Sequence, residues 1–149
     1  MQLYLKPEIM PQPSVRHVFV YGTLRRGEQR DINRLTPAPR WVGRASVAGV
    51  LHDLGAYPGV LLGGASRVQG EVYQISLELE RQLDEIEEVS PEPSGEYAKR
   101  EAAVQLDRPS GGAPVELACA LYEVAPERAQ GKPVIASGDW VQHRTDSSR

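Results

Sequence analysis

Two short stretches of this 149-residue chain carry residue types and spacings that can do chemistry. In the first, the apolar run Val18-Phe-Val-Tyr21 stops at Gly22 and passes into Thr23 and Leu24. A strand that ends in such a tight turn can aim successive backbone N–H groups at one concavity, where their partial positive charges add and hold a carboxylate or phosphate. The same residues also suit a plain chain reversal. Arg25 follows directly, within a basic cluster that reads either as a solvated face or as a group that touches or steers an anionic ligand.

The second stretch is Leu83-Asp-Glu-Ile-Glu-Glu88. Leu79, Leu83 and Ile86 fall at the spacing of one buried helical stripe, and Glu87 lies on its margin. A carboxylate held there is partly desolvated, its pKa moves upward, and it suits a general base that must also return a proton. The competing reading is a solvated surface carboxylate, in an acidic cluster at the unfavourable end of a helix. Cys119 sits between Ala118 and Ala120 in a strand pattern and reads as a small buried hydrophobe, not a nucleophile. His17, His52 and His143 have no close metal-ligand spacing, so no metal is assigned.

The elements that must position these groups can be read in order. Residues 1–15 form a loose, proline-containing lead-in, and the first strand spans Arg16–Tyr21. A short helix or ordered loop is expected over Asp31–Leu35. Trp41–Leu51 reads as a strand bent at a glycine, Val60–Leu62 as a short strand ended by Gly63-Gly64, and Val68–Ile75 as an alternating strand. In the last, Glu71 shares a face with Tyr73 and Ile75; it is expected at the solvated strand end rather than bonded within the sheet. Ser76 is the expected N-cap of the helix carrying Glu87. After a loop through Pro91, Pro93 and Gly95, residues 101–107 and 115–124 form an expected antiparallel hairpin. The domain is expected to close at residue 141 with Trp140 plugging its edge, and 142–149 to fray. Glycines at successive strand ends point to a compact, curved sheet or barrel.

Composition bounds the partners. A chain of this length buries roughly two-thirds of its extended surface, enough for one domain with a pocket. Its 17 basic and 20 acidic residues give a formal charge of −3, so no net positive field holds a polyanion, and nucleic acid is not expected. One cysteine excludes an internal disulfide and suits reducing cytoplasm. No transmembrane run or secretion signal is apparent, so the expectation is a cytoplasmic protein with no membrane contact.

Four pieces in order, Phe19-Val-Tyr-Gly-Thr-Leu-Arg25, Gly70-Glu-Val-Tyr73, Leu83-Asp-Glu-Ile-Glu87, and Tyr97 with Lys99-Arg100, resemble the gamma-glutamylcyclotransferase-like family, including its gamma-glutamylamine cyclotransferase branch. The resemblance implies an α+β fold, a small mixed barrel with a few helices and a cavity beside the Tyr-Gly-Thr-Leu loop. It also implies conversion of a gamma-glutamyl amine or amino acid to 5-oxoproline and a free amine, without metal or cofactor. Carried over, Glu87 is the catalytic acid/base, the amides of Gly22, Thr23 and Leu24 hold the glutamyl α-carboxylate, and Tyr21, Arg25 and Tyr97 complete the substrate-binding set. The alternative is a non-catalytic module of the same fold that binds a gamma-glutamyl group or another small carboxylate. Three departures stand out: Glu88 replaces the family's glycine after the catalytic glutamate, Pro91–Gly95 lengthens the connection to Tyr97, and either Lys99 or Arg100 takes the family's basic position. Leaving amine and oligomeric state stay open.

Overall fold

A computed structural model describes residues 15–90, 94–108 and 111–147. The lead-in before Val15, the first part of the Pro91–Gly95 connection and the last two residues lie outside the described residues. Five strands close into a barrel in the order β1 (Arg16–Val20), β3 (Pro58–Ile75), β2 (Arg40–Asp53), β4 (Tyr97–Leu106), β5 (Val115–Val124). Neighbours are antiparallel except β1 and β5, whose parallel contact at Val18 and Ala120 shuts the barrel. The sheet is therefore mixed, and the helices are few and short: α1 (Leu77–Ile86), α2 (Pro126–Ala129) and α3 (Trp140–Ser147). None of the described helices is long and apolar enough to cross a membrane.

Strand alternation creates two cores. Phe19 and Tyr21 join Val47, Leu51, Val60, Val68, Val72, Val104, Cys119 and Leu121 in a cluster drawn from all five strands, which is the barrel interior. Val18 and Val20, one position out of phase, join Tyr73, Ile75 and Tyr122 beneath Leu79 and Leu83 of α1. Leu79 and Leu83 are fully buried, and each contributes about 1.5–3 kcal/mol by leaving water. Ser76 caps α1 as its sequence position indicates, its Oγ accepting from the Leu79 amide at 3.1 Å.

An ion-pair ladder fixes α1 to the barrel. The Glu80 carboxylate accepts Arg16 Nε and Nη2 at 3.0 and 2.9 Å, and Lys99 Nζ at 2.6 Å. Lys99 also donates to Asp84 at 3.0 Å, and the Tyr122 hydroxyl to Asp84 at 2.7 Å. The Arg16 hydrogen bond, reinforced by Lys99, holds the Glu80 carboxyl down at about 2. The last turn of α1 is thereby held to β4 and β5.

Three expectations are corrected. The Val60–Leu62 and Val68–Ile75 stretches belong to one strand, β3. Its register against β2 jumps from Leu62 to Arg67 while Gly63 to Ser66 bulge outward into solvent; positive φ at Gly63 and Gly64 permits the bulge. Gln142 to Ser147, expected as a frayed tail, lie in α3, where His143 Nε2 meets Asp53 at 2.8 Å and Arg144 forks onto Glu28 at 2.8 and 2.5 Å. Glu71 is buried inside the structure rather than solvated. It accepts from Arg25 Nε at 3.1 Å, the Arg26 amide at 2.9 Å and the Tyr73 hydroxyl at 2.9 Å. Trp140, expected at the domain edge, is buried and packs into the cluster that fills the barrel.

Candidate active site

The carboxyl end of β1 and the C-terminus of α1 converge on one cavity of about 150 Å³. Tyr21, Gly22, Thr23 and Leu24 line it from one side, Ile86, Glu87 and Glu88 from α1, Tyr57 and Pro58 from the entry to β3, Glu96 and Tyr97 from the entry to β4, and Tyr122 from β5. The volume falls below the roughly 300–1,000 Å³ of drug-sized clefts, which suits one amino-acid-sized group.

The Gly22–Leu24 turn has an uneven hydrogen-bond balance. Its carbonyls are all engaged: Gly22 O accepts from Arg25 N at 3.0 Å, Thr23 O from Arg30 N at 2.9 Å and Leu24 O from Ile32 N at 2.9 Å. Its three amides donate to no acceptor among the described residues. A run of such amides beside a cavity is a cradle for an anion. Gly22 is required by space, since a Cβ there would stand 2.7 Å from Pro58 Cγ.

Glu87 caps α1, its amide bonded to Leu83 O at 2.9 Å. The helix then stops in a paired closure, Glu88 N to Glu85 O at 3.1 Å and Val89 N to Asp84 O at 2.9 Å, with Glu88 at φ 58°. Among the described residues nothing donates a hydrogen bond to the Glu87 carboxylate. Burial raises its pKa to about 7; Arg30 pulls it down, while Glu96 and Glu88 push it further up. The group is thus half-buried, unengaged and poised to exchange protons near neutrality.

Three tyrosine hydroxyls surround this carboxyl with their protons committed elsewhere. Tyr21 donates to Tyr122 O at 2.6 Å and accepts from the Val60 amide at 3.3 Å. Tyr97 donates to Pro58 O at 2.8 Å, and Tyr122 to Asp84. Burial first, with the Glu87 charge also contributing, drives all three phenols upward, so they stay protonated. Tyr97 lines the cavity as expected of a pocket residue, and its hydroxyl is bonded to Pro58 O, not to Glu87.

One expected substrate-binding residue is misplaced. Arg25 does not line the cavity; its buried guanidinium turns back to Glu71 at 3.1 Å and Asp139 at 2.9 Å. The buried Glu71 carboxylate needs a cation, and removing one partner of such a pair costs ~3–5 kcal/mol, so Arg25 holds the cradle loop against β3 and α3 instead of meeting ligand. Lys99 and Arg100 are likewise spent on Glu80 and Asp84, and on Glu123. The cation that reaches the cavity is Arg30, whose exposed side chain makes no ion pair among the described residues. Sequence reading passed over Arg30, Tyr57 and Glu96. Only Arg30 carried a local signal, its spacing of seven residues from the Thr23 turn within a polar loop. Cys119 is fully buried, and burial pushes its thiol up to about 12, as befits an inert core residue. No group of three or more His, Cys, Asp or Glu among the described residues could hold a metal ion.

The positive φ at Glu88 yields a prediction. A side chain in the left-handed region costs roughly 1–2 kcal/mol, partly offset by the greater chain freedom of glycine. Glu88→Gly is therefore expected to raise stability by about 1 kcal/mol, or ~2–4 °C in thermal unfolding. A lowered midpoint would contradict it.

A small closed barrel with a rim pocket shaped by a strand-end turn and a helix C-terminus defines a recognisable architectural class. Residues 18–142 match the model of the family described as gamma-glutamyl cyclotransferase, AIG2-like, and the chain belongs to that family. It is 33% identical over 133 residues to a putative gamma-glutamylcyclotransferase of Vibrio cholerae, covering 84% of this chain and 95% of that protein. It is 44% identical over 73 residues to the gamma-L-glutamyl-butirosin B gamma-glutamyl cyclotransferase of Niallia circulans. That match spans 48% of this chain and 46% of the Niallia protein, less than half the length of each. The crystal structure of an AIG2-like protein from Mus musculus superimposes with a TM-score of 0.64 at 28% identity, covering 80% of this chain and 84% of that one.

Proposed function

We propose that this protein is a gamma-glutamylamine-type cyclotransferase, releasing 5-oxoproline and a free amine from a gamma-glutamyl amide. The observation that carries the reading is the pairing, across one cavity, of an unengaged carboxylate raised to about 7 with three unengaged main-chain amides. The amides of Gly22, Thr23 and Leu24 take the glutamyl α-carboxylate, and Tyr21 and Tyr97 wall the folded substrate.

The α-nitrogen attacks the γ-carbonyl carbon, a new C–N bond closes the five-membered ring, and the bond to the departing amine breaks. On the way from ammonium to lactam the α-nitrogen gives up two protons, and the departing nitrogen gains two to leave as an ammonium. Glu87 accepts and returns them one at a time, so it begins and ends ionised. Because nucleophile and carbonyl share one molecule, holding the folded conformer supplies much of the remaining acceleration. The Niallia relative, named for a gamma-glutamyl group on butirosin B, supports an amine outside the pocket as the leaving group.

The test is incubation with a panel of gamma-glutamyl amines and amino acids, following 5-oxoproline and free amine together. Equal release of both is expected; binding without release would leave a gamma-glutamyl binding module instead. The pH dependence has a defined sign. Below about 7 Glu87 is protonated and cannot accept a proton, so kcat/KM should fall about tenfold per pH unit there. Arg30→Gln removes the charge that lowers this pKa and should move the limb to higher pH. Glu96→Gln removes a charge that raises it and should move the limb to lower pH. Shifts in the same direction would overturn the assignment of the limb to Glu87.

A further inference from the structure

The mouth of the cavity holds charges that a gamma-glutamyl group does not consume. That group brings one ammonium, which meets Glu87, and one carboxylate, which meets the amide cradle. Left over on the lining are the carboxylates of Glu88 and Glu96 against the single guanidinium of Arg30. Neither Glu88 nor Glu96 has an ion-pair partner among the described residues, although both line a cavity that holds the Arg30 guanidinium.

Glu96 is also held in place. Its carbonyl accepts the Ala125 amide at 2.8 Å, its amide donates to Ser94 Oγ at 3.3 Å, and its Oε2 accepts the Tyr57 hydroxyl at 2.5 Å. Its Oε1 has no donor among the described residues. Tyr57 stands beside Tyr97 with ring centroids 6.3 Å apart and tilted by 51°, so two aromatic rings flank the same opening. A fixed half-buried carboxylate on the same cavity lining as two aromatic rings is a setting that favours a cation, through charge-assisted hydrogen bonding and the ring quadrupoles.

We infer that Tyr57 and Glu96 recognise the departing half of the substrate, and that they select gamma-glutamyl amides whose amine half carries a further positive charge, such as a diamine or another basic amine. The inference rests on the gamma-glutamyl reading above. Because Oε2 is occupied by Tyr57, the incoming ammonium binds Oε1, and the preference lies in binding, not in the ring closure.

The experiment compares three amides of matched length: gamma-glutamyl-(4-aminobutyl)amide, gamma-glutamyl-pentylamide, and the gamma-glutamyl amide of 4-aminobutanoate. Release of 5-oxoproline and calorimetric binding are measured for each with the parent protein and with Glu96→Gln. The expected parent preference is cationic over neutral by about tenfold in kcat/KM, carried by KM and weakened by salt, with the anionic amide poorest. In Glu96→Gln the preference should collapse. All three amides meet the same Glu87, so the ratio cancels any change that Glu96 makes to that base. Equal turnover of the three, a preference for the anionic amide, or a preference that survives Glu96→Gln would overturn this inference and leave the cyclotransferase reading standing. Cation-selective binding without turnover would overturn the cyclotransferase reading and support the Tyr57–Glu96 recognition point. Absence of both binding and turnover would overturn both.

Discussion

Glu87→Gln is expected to cut 5-oxoproline release by on the order of 10³-fold, the usual scale for removing a positioned acid/base. The substitution keeps the shape of the side chain and removes only its ability to take and return a proton. On the proposed reading the amides of Gly22, Thr23 and Leu24 still hold the substrate, so the loss should appear in kcat with KM little changed. Folding should survive, for a reason read from the sign of the pKa shift. Glu87 titrates near 7 in the folded chain against an ordinary value of 4.5, so its ionised form disfavours the folded state. That penalty is absent below about 4.5, grows as pH rises through 7, and is full above it. Glutamine never carries it, and the variant should melt no lower than the parent at pH 8. A variant that retains its rate would remove Glu87 from the reaction; one that loses the rate together with the fold would fail the stability half of the prediction.

Gly70→Ala is expected to have the largest effect on stability. Gly70 of β3 lies opposite Ala45 of β2, and its next neighbour Glu71 pairs with Val20 of β1. A Cβ at residue 70 would stand 2.4 Å from Val20 O, and 2.6 and 2.8 Å from Phe19 ring atoms. A backbone oxygen within a strand cannot swing aside as a flexible side chain can, so β1 must move or the barrel must open. Overpacking of this kind costs ~1–3 kcal/mol and sometimes more, and the upper end is expected here, a fall of roughly 6–12 °C in the thermal midpoint. Since Val20 leads directly into Tyr21 and Gly22, the same displacement should disturb the cradle and raise KM at temperatures where the variant is folded. Gly112→Ala is the comparison, because a Cβ there meets nothing nearer than Arg108 Nη2 at 3.8 Å. Equal midpoints for the two variants would show that β1 and β3 tolerate a wider separation.

The first prediction concerns a group that local sequence exposes, whereas the clash at Gly70 exists only once β3 lies against β1. The stop at Gly22 after Val18-Phe-Val-Tyr21 marks the strand-end turn, and the spacing of Leu79, Leu83 and Ile86 places Glu87 at the edge of a buried stripe; in the folded chain both border one cavity. Cys119 between two alanines reads as core and is core. Ser76 reads as a cap and caps. Each of these signals is carried by neighbours within about one helical turn or one strand, where backbone geometry alone sets which side chains share a face.

The misreadings share one cause. Arg25 follows the cradle in sequence and suggested an anion contact, yet Glu71 and Asp139 draw it away from the cavity. Glu71 in turn reads as solvated until the barrel closes around it. The tail helix is tied down by Asp53 and Glu28, both far from it in sequence.

What the chain determines by itself is the pattern of strands, the helix with its cap, and the two stretches that border the cavity, because periodicity and turn residues act over a few positions. What tertiary structure decides is the partner of each charge. Arg25 is 46 residues from Glu71 and 114 from Asp139, and Tyr57 is 39 from Glu96. Burial makes an unpaired charge costly, so the closing barrel commits some ions to one another and leaves Glu87, Glu96 and Arg30 without an ion-pair partner among the described residues at its mouth; no local spacing encodes which are spared.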